Sequence, residues 1–239
     1  VQLRHWSWRS LLTAATALAA GGLLYAAVQD YATARAAMVS NLRDQGVKNT
    51  RVLAAMARVP RHAFVSAPYR SRAYDDVEVP GSFHGEVIAS PYLIAFMLET
   101  LDPKPKGKVL EVGTGSGYDT ALLAEMGTRV YTVEQRRPVA NEARRVVQSL
   151  GYRSVRFAVG DCAQGWRANA PYDYIIVTAP VDRVPPLVVE QLEDGGCLVV
   201  SVGRGPEQTL NRYRKNGGRI GAEVVNTPRG SRLYKLRRR

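Results

Sequence analysis

Val109-Leu110-Glu111-Val112-Gly113-Thr114-Gly115-Ser116-Gly117-Tyr118 is an apolar run that passes straight into a loop with glycines at alternate positions. A carboxylate, Glu111, stands two places before the first glycine. Residues this small let the backbone approach a ligand closely. A dinucleotide fingerprint wants its third glycine one place later, where Tyr118 stands, and a phosphate loop wants a Lys-Ser/Thr pair that this stretch lacks. Both nucleotide classes are therefore disfavoured.

From residue 108 onward, short apolar runs alternate with helical windows. Strands are expected at 108–112, 129–133, 155–159, 174–178 and 197–202, and helices at 119–126, 138–150 and 184–192. This alternation specifies an α/β fold with a doubly wound, mostly parallel sheet and right-handed crossovers. Ligands on such sheets bind at the carboxyl ends of the strands, where the strand order reverses. Two further acids fall at strand ends: Glu134, closing Val130-Tyr131-Thr132-Val133-Glu134, and Asp161, in Val159-Gly160-Asp161. Upstream, Val47, Val52, Leu53, Met56 and Val59 lie at helical spacings and predict one or two helices over residues 30–59. A loop-rich stretch follows, and a helix opens at Ser90-Pro91 and runs through Leu101.

The spacing Glu-x-Gly-x-Gly-x-Gly, followed by two strand-end acids, resembles the class I S-adenosylmethionine-dependent methyltransferases. The resemblance implies a Rossmann-like methyltransferase sheet with S-adenosylmethionine as cofactor. Gly113, Gly115 and Gly117 would give it room, Glu111 would hold its ammonium group, Glu134 its ribose hydroxyls, and Asp161 its adenine amino group. Five stretches in order narrow the likeness: Val59-Pro60-Arg61-His62-Ala63-Phe64-Val65, Ala73-Tyr74-Asp75-Asp76, Ile88-x-x-Pro91-Tyr92, the glycine loop, and Ala170-Pro171-Tyr172-Asp173-Tyr174-Ile175-Ile176-Val177-Thr178-Ala179. Over roughly residues 38–203 the chain resembles the protein-L-isoaspartate O-methyltransferase family.

That family's active-site loop reads Gly-x-Gly-Gln-Thr-Ile-Ser-x-Pro, with the two hydroxyls near the reacting isoaspartyl carboxylate. Here Gly85-Glu86-Val87-Ile88-Ala89-Ser90-Pro91 places Glu86, Val87 and Ala89 at those positions, and both hydroxyls are gone. Glu86 would repel a carboxylate substrate unless protonated or paired. Ser90 offers a hydroxyl one position late, but beside Pro91 it reads as a helix N-cap. His84 is a candidate base in the same loop.

Residues 10–29 carry no charge, and 10–28 as a helix would be about 28 Å long, against a hydrocarbon core of roughly 30 Å. Trp6, Trp8, Tyr25 and Tyr31 stand where interfacial aromatics sit. The net charge of +12 is concentrated at the far end: residues 204–239 hold eleven basic side chains against Glu207 and Glu223. Anionic lipid or an acidic protein surface would suit that segment; nucleic acid is not expected, since no aromatic single-strand platform accompanies it. Cys162 and Cys197 have neither zinc nor disulfide spacing, and no metal is expected.

The organisation expected is a flank (1–9), a transmembrane helix (10–29), a helical extension with a substrate-side loop (30–107), a cofactor-binding α/β core (108–203) and a basic C-terminal segment (204–239). The function expected is that of a single-pass membrane protein with a cytoplasmic domain. It would keep a cofactor pocket, have impaired or lost isoaspartyl methylation, and serve as an accessory subunit among other membrane-protein subunits. The alternative is an active, membrane-tethered carboxyl methyltransferase.

Overall fold

Successive residues of a strand face opposite sides of its sheet, and here both sides are buried. On β3 (Lys108–Val112), Val109 enters one apolar cluster while Leu110 and Val112 enter another. On β6 (Tyr172–Val181) Ile176 divides from Ile175 and Val177 in the same way, and on β7 (Leu192–Val202) Val199 divides from Leu198 and Val200. Strands buried on both faces belong to a parallel sheet covered by helices.

The computed structural model, which describes residues 31–83, 85–203 and 208–225, contains that sheet. With β4 (Arg129–Glu134), β5 (Arg156–Val159), β8 (Thr209–Asn216) and β9 (Arg219–Val225), its order is β5-β4-β3-β6-β7-β8-β9. The pairs from β5 through β7 are parallel, and β8 and β9 add antiparallel pairs at one edge. The order reverses at β3, between β4 and β6.

Helix α4 (Tyr118–Glu125) leaves the glycine loop, and α5 (Arg137–Ser149) buries Val139, Ala140, Ala143, Val146 and Val147, one helical face, against the sheet. Before the sheet come α1 (residues 31–44), α2 (Thr50–Arg58) and α3 (Pro91–Leu101), so the described residues 31–59 hold two helices. Asn49 caps α2 by accepting from the Arg51 and Val52 amides, and the Ser90 hydroxyl caps α3 by accepting from Leu93 N–H at 3.3 Å. Between α2 and α3 a short antiparallel pair, β1 (Val79–Pro80) with β2 (Val87–Ile88), forms a strap. Buried Arg61 ties this region together, its Nε donating to Ala73 O (2.7 Å) and its Nη2 to Ala89 O (2.9 Å).

Two expectations are corrected. The helix over 184–192 shrinks to α6 (Pro186–Glu190), because Leu192 pairs with Tyr172 and already belongs to β7. Gly196 makes this possible: a Cβ there would meet Leu192 Cδ1 and two backbone carbonyl oxygens within 2.9 Å. The basic segment also gains structure, since its residues 209–225 form the β8–β9 hairpin and so extend the sheet. The signal lay in Asn216-Gly217-Gly218-Arg219, a two-residue loop whose glycines adopt φ of 56° and 74°. The proposed membrane helix lies outside the described residues; among the described residues no helix is long and apolar enough to cross a membrane.

Candidate active site

The carboxyl ends of β3, β4 and β6 open into a cavity of about 670 Å³. Gly113 and Gly115 form part of its wall, Glu134 another part, and the strap residues Glu86, Val87 and Ala89 approach from a separate element. A cleft at the reversal point of a parallel sheet is where this architecture holds ligands.

The three loop glycines serve different ends. A Cβ on Gly113 would lie 2.7 Å from Thr178 Oγ1, the hydroxyl that bridges from β6 to the Gly113 carbonyl. A Cβ on Gly115 would point into the cavity, 2.9 Å from Glu86 Oε2. Gly117 does not line the cavity: it caps α4 at φ 86°, where a Cβ would strike Val147 and Ala143 of α5. Its requirement is helix packing, which corrects its assignment to the cofactor.

Glu134 is buried at the end of β4 and already accepts two amides, Gly115 N–H at 3.2 Å on Oε2 and Arg136 N–H at 3.0 Å on Oε1. These bonds fix the carboxylate on the cavity wall, at a position suited to a ribose diol. Glu111 departs from expectation. It is fully buried, accepts from the Thr120 hydroxyl and is not part of the cavity lining. Burial, with Asp119 nearby, pushes its carboxyl up to about 8, which favours its neutral form at pH 7. Asp161 lies beside the main cavity. It caps a turn by accepting from Ala163 N–H (2.9 Å) and lines a smaller cavity of about 450 Å³, while its neighbours Cys162 and Ala163 reach the main one.

Around the strap, Ser90 is committed to capping α3, and His84 lies outside the described residues. Val87 is 62% exposed and, with Ala89, gives this part of the cavity an apolar lining. Glu86 forms an ion pair with Arg136, so its charge is compensated. Sequence reasoning missed Arg136 and Asp119, both of which line the cavity. The only signal for either was its place just after a motif: Arg136 two residues beyond the strand-end Glu134, Asp119 in the first turn of the helix after the glycine loop.

The fold and the site together define a Rossmann-like methyltransferase. Among solved structures the chain is similar to a protein-L-isoaspartate O-methyltransferase at TM-score 0.72 and 28% identity, covering 80% of this chain and spanning 63% of that one. A Plasmodium falciparum structure in complex with S-adenosyl-L-homocysteine shares the fold at TM-score 0.68 and 21% identity, covering 83% of this chain and 97% of that one. The family model for Protein-L-isoaspartate(D-aspartate) O-methyltransferase matches residues 33–229, and the chain belongs to that family. A Gloeobacter violaceus protein-L-isoaspartate O-methyltransferase is 49% identical over 166 residues, 70% of this chain and 80% of its own length. Protein-L-isoaspartate O-methyltransferase 2 of Geotalea uraniireducens is 45% identical over 204 residues, 85% of this chain and 93% of its own. Membership makes S-adenosylmethionine the cofactor, and the described residues fit it: a glycine cradle, a fixed carboxylate on Glu134 and a cavity of sufficient size. The expectation of a non-catalytic accessory subunit finds no support in these relatives, which bear the name of the enzyme.

Proposed function

We propose that the chain is an S-adenosylmethionine-dependent carboxyl methyltransferase acting on L-isoaspartyl residues of proteins. The observation that carries this reading is that one cavity joins the glycine loop, Glu134 and the strap loop of a chain belonging to that family. When bound, S-adenosylmethionine supplies an electrophilic methyl group on a sulfonium sulfur. A carboxylate substrate is already deprotonated at neutral pH, so the protein need not supply a base and contributes chiefly by positioning. Glu134, oriented by the Gly115 and Arg136 amides, would hold the ribose, and the small residues of the glycine loop admit the cofactor's backbone-side atoms. The strap's Val87 and Ala89 give the cavity an apolar stretch beside the glycine loop. The Arg136–Glu86 pair removes the repulsion that a free Glu86 carboxylate would exert on the substrate.

The test is transfer of labelled methyl from S-adenosylmethionine to an isoaspartyl peptide, with the matching aspartyl peptide as control. Transfer to the isoaspartyl peptide is expected. The double variant Val87→Thr, Ala89→Ser, which adds two hydroxyl donors at the strap, should be faster by about tenfold. Silence in both proteins would overturn the reading.

We propose in addition that residues 10–29 tether the enzyme to a membrane as a single span, with the catalytic domain on the cytoplasmic side, where its cofactor is made, and the basic segment against anionic lipid. The uncharged run and its flanking aromatics support this. The full chain should resist alkaline extraction from membranes; its release into the soluble fraction would refute the tether.

A further inference from the structure

Asp119 and Glu78 are the cavity-lining carboxylates for which neither the sequence motifs nor the proposed chemistry has a use, and of the two Asp119 follows directly on the glycine loop. It sits in the first turn of α4, where the helix dipole favours negative charge. Its Oδ1 is buried and has no hydrogen-bond partner among the described residues. Near it lies Arg61, whose Nε and Nη2 donate to Ala73 O and Ala89 O, whose Nη1 has no hydrogen-bond partner among the described residues, and whose guanidinium lies 5.1 Å from the Tyr118 ring centroid. Among the described residues Arg61 makes no ion pair with Asp119, although its charge favours the ionised carboxylate. On the strand side stands Glu111, which lies outside the cavity lining and whose carboxyl burial pushes up to about 8. Burial pushes the Asp119 carboxyl up to about 6 against the opposing charge of Arg61, which leaves it mostly ionised at pH 7. The residue is part of the cavity wall.

A buried, ionised carboxylate without a direct partner is costly unless something cationic completes it. Glu134 on β4 marks the ribose end of the cavity. Asp119 lines the same cavity from the first turn of α4. We infer that Asp119, and not Glu111, binds the α-ammonium group of S-adenosylmethionine. The inference rests on the cofactor assignment above and adds a residue that the family motifs do not specify. Asp119 contributes binding and orientation; it does not touch the transferred methyl.

Calorimetric titration of purified protein decides the matter with three probes: S-adenosylmethionine, S-adenosylhomocysteine and 5′-methylthioadenosine, which keeps the adenosine and thioether but has no ammonium. Asp119→Asn should weaken the first two by about tenfold or more and leave the third unchanged. Unchanged binding of all three overturns the inference. So does equal weakening of all three, which would mark a general distortion, and so does weakening of S-adenosylmethionine alone, which would place the charge at the sulfonium. If wild-type protein binds none of them, the cofactor assignment itself falls and this inference with it. If Asp119→Asn does not fold, the isosteric pair Asp119→Glu and Asp119→Gln serves instead: the Glu variant should bind S-adenosylmethionine at least tenfold more tightly, and equal affinities would overturn the inference.

Discussion

At the scale of single residues, the three motif glycines are separable by experiment. Gly115 faces the cavity at φ 51°, so Gly115→Val should abolish S-adenosylmethionine binding and, through backbone strain, also lower the melting temperature. Gly117 holds φ 86° against α5, so Gly117→Ala should cost about 2 kcal/mol or more through backbone strain and the clash with Val147. The folded fraction of that variant should still bind cofactor, as a titration at low temperature would show. Glu111 yields a pH dependence. Its folded value of about 8 lies above its ordinary 4.5, so the folded chain retains a proton that the unfolded chain releases between those values. Stability from this group is complete below about pH 4.5 and is lost as pH rises to about 8, with a slope of at most about 1.4 kcal/mol per unit. Glu111→Gln, which can still accept from Thr120, should flatten that slope in denaturant titrations between pH 5 and 8 and melt above wild type at pH 8. An unchanged slope would mean that Glu111 is ionised in the folded chain.

At the scale of elements, the strap is where this chain differs most from the loop its family resemblance implies. Glu86 comes from the strap and Arg136 from the turn after β4, so their ion pair joins two elements across the cavity. Arg136→Ala should leave Glu86 uncompensated and raise KM for an isoaspartyl peptide several-fold with a smaller effect on kcat. Adding Glu86→Gln to that variant should restore KM, a rescue that loss of packing alone would not produce. The element boundaries also show what was legible in the chain. The strand at 108–112 and the Ser90-Pro91 helix start fall where apolar period and capping chemistry put them. The short α6 does not, because Leu192 takes its place through pairing with Tyr172, a partner twenty residues away. The β8–β9 hairpin escaped notice because its arginines and lysines dominate the composition, although the Gly217-Gly218 turn was in plain view.

At the scale of the whole molecule, the sheet, the cavity and the cofactor are linked by mass action. Cofactor at a hundred times its dissociation constant should stabilise the folded chain by about 2.7 kcal/mol, visible as a rise in melting temperature that Gly115→Val abolishes. The sequence by itself determined the α/β class, the parallel core from β3 to β7, the family, and the cradle of Gly113, Gly115 and Glu134, because each of these is written in local spacing: alternation of apolar runs, glycines at fixed intervals, an acid at a strand end. Only the tertiary structure decided which carboxylates face the cavity. Glu111 and Asp119 are eight residues apart and equally acidic on paper, yet one is fully buried within β3 while the other lines the wall. The compensation of Glu86 by Arg136 was likewise invisible, since it joins residues fifty positions apart. Burial and long-range pairing set the charge of an acid, and both arise only when distant segments of the chain pack together.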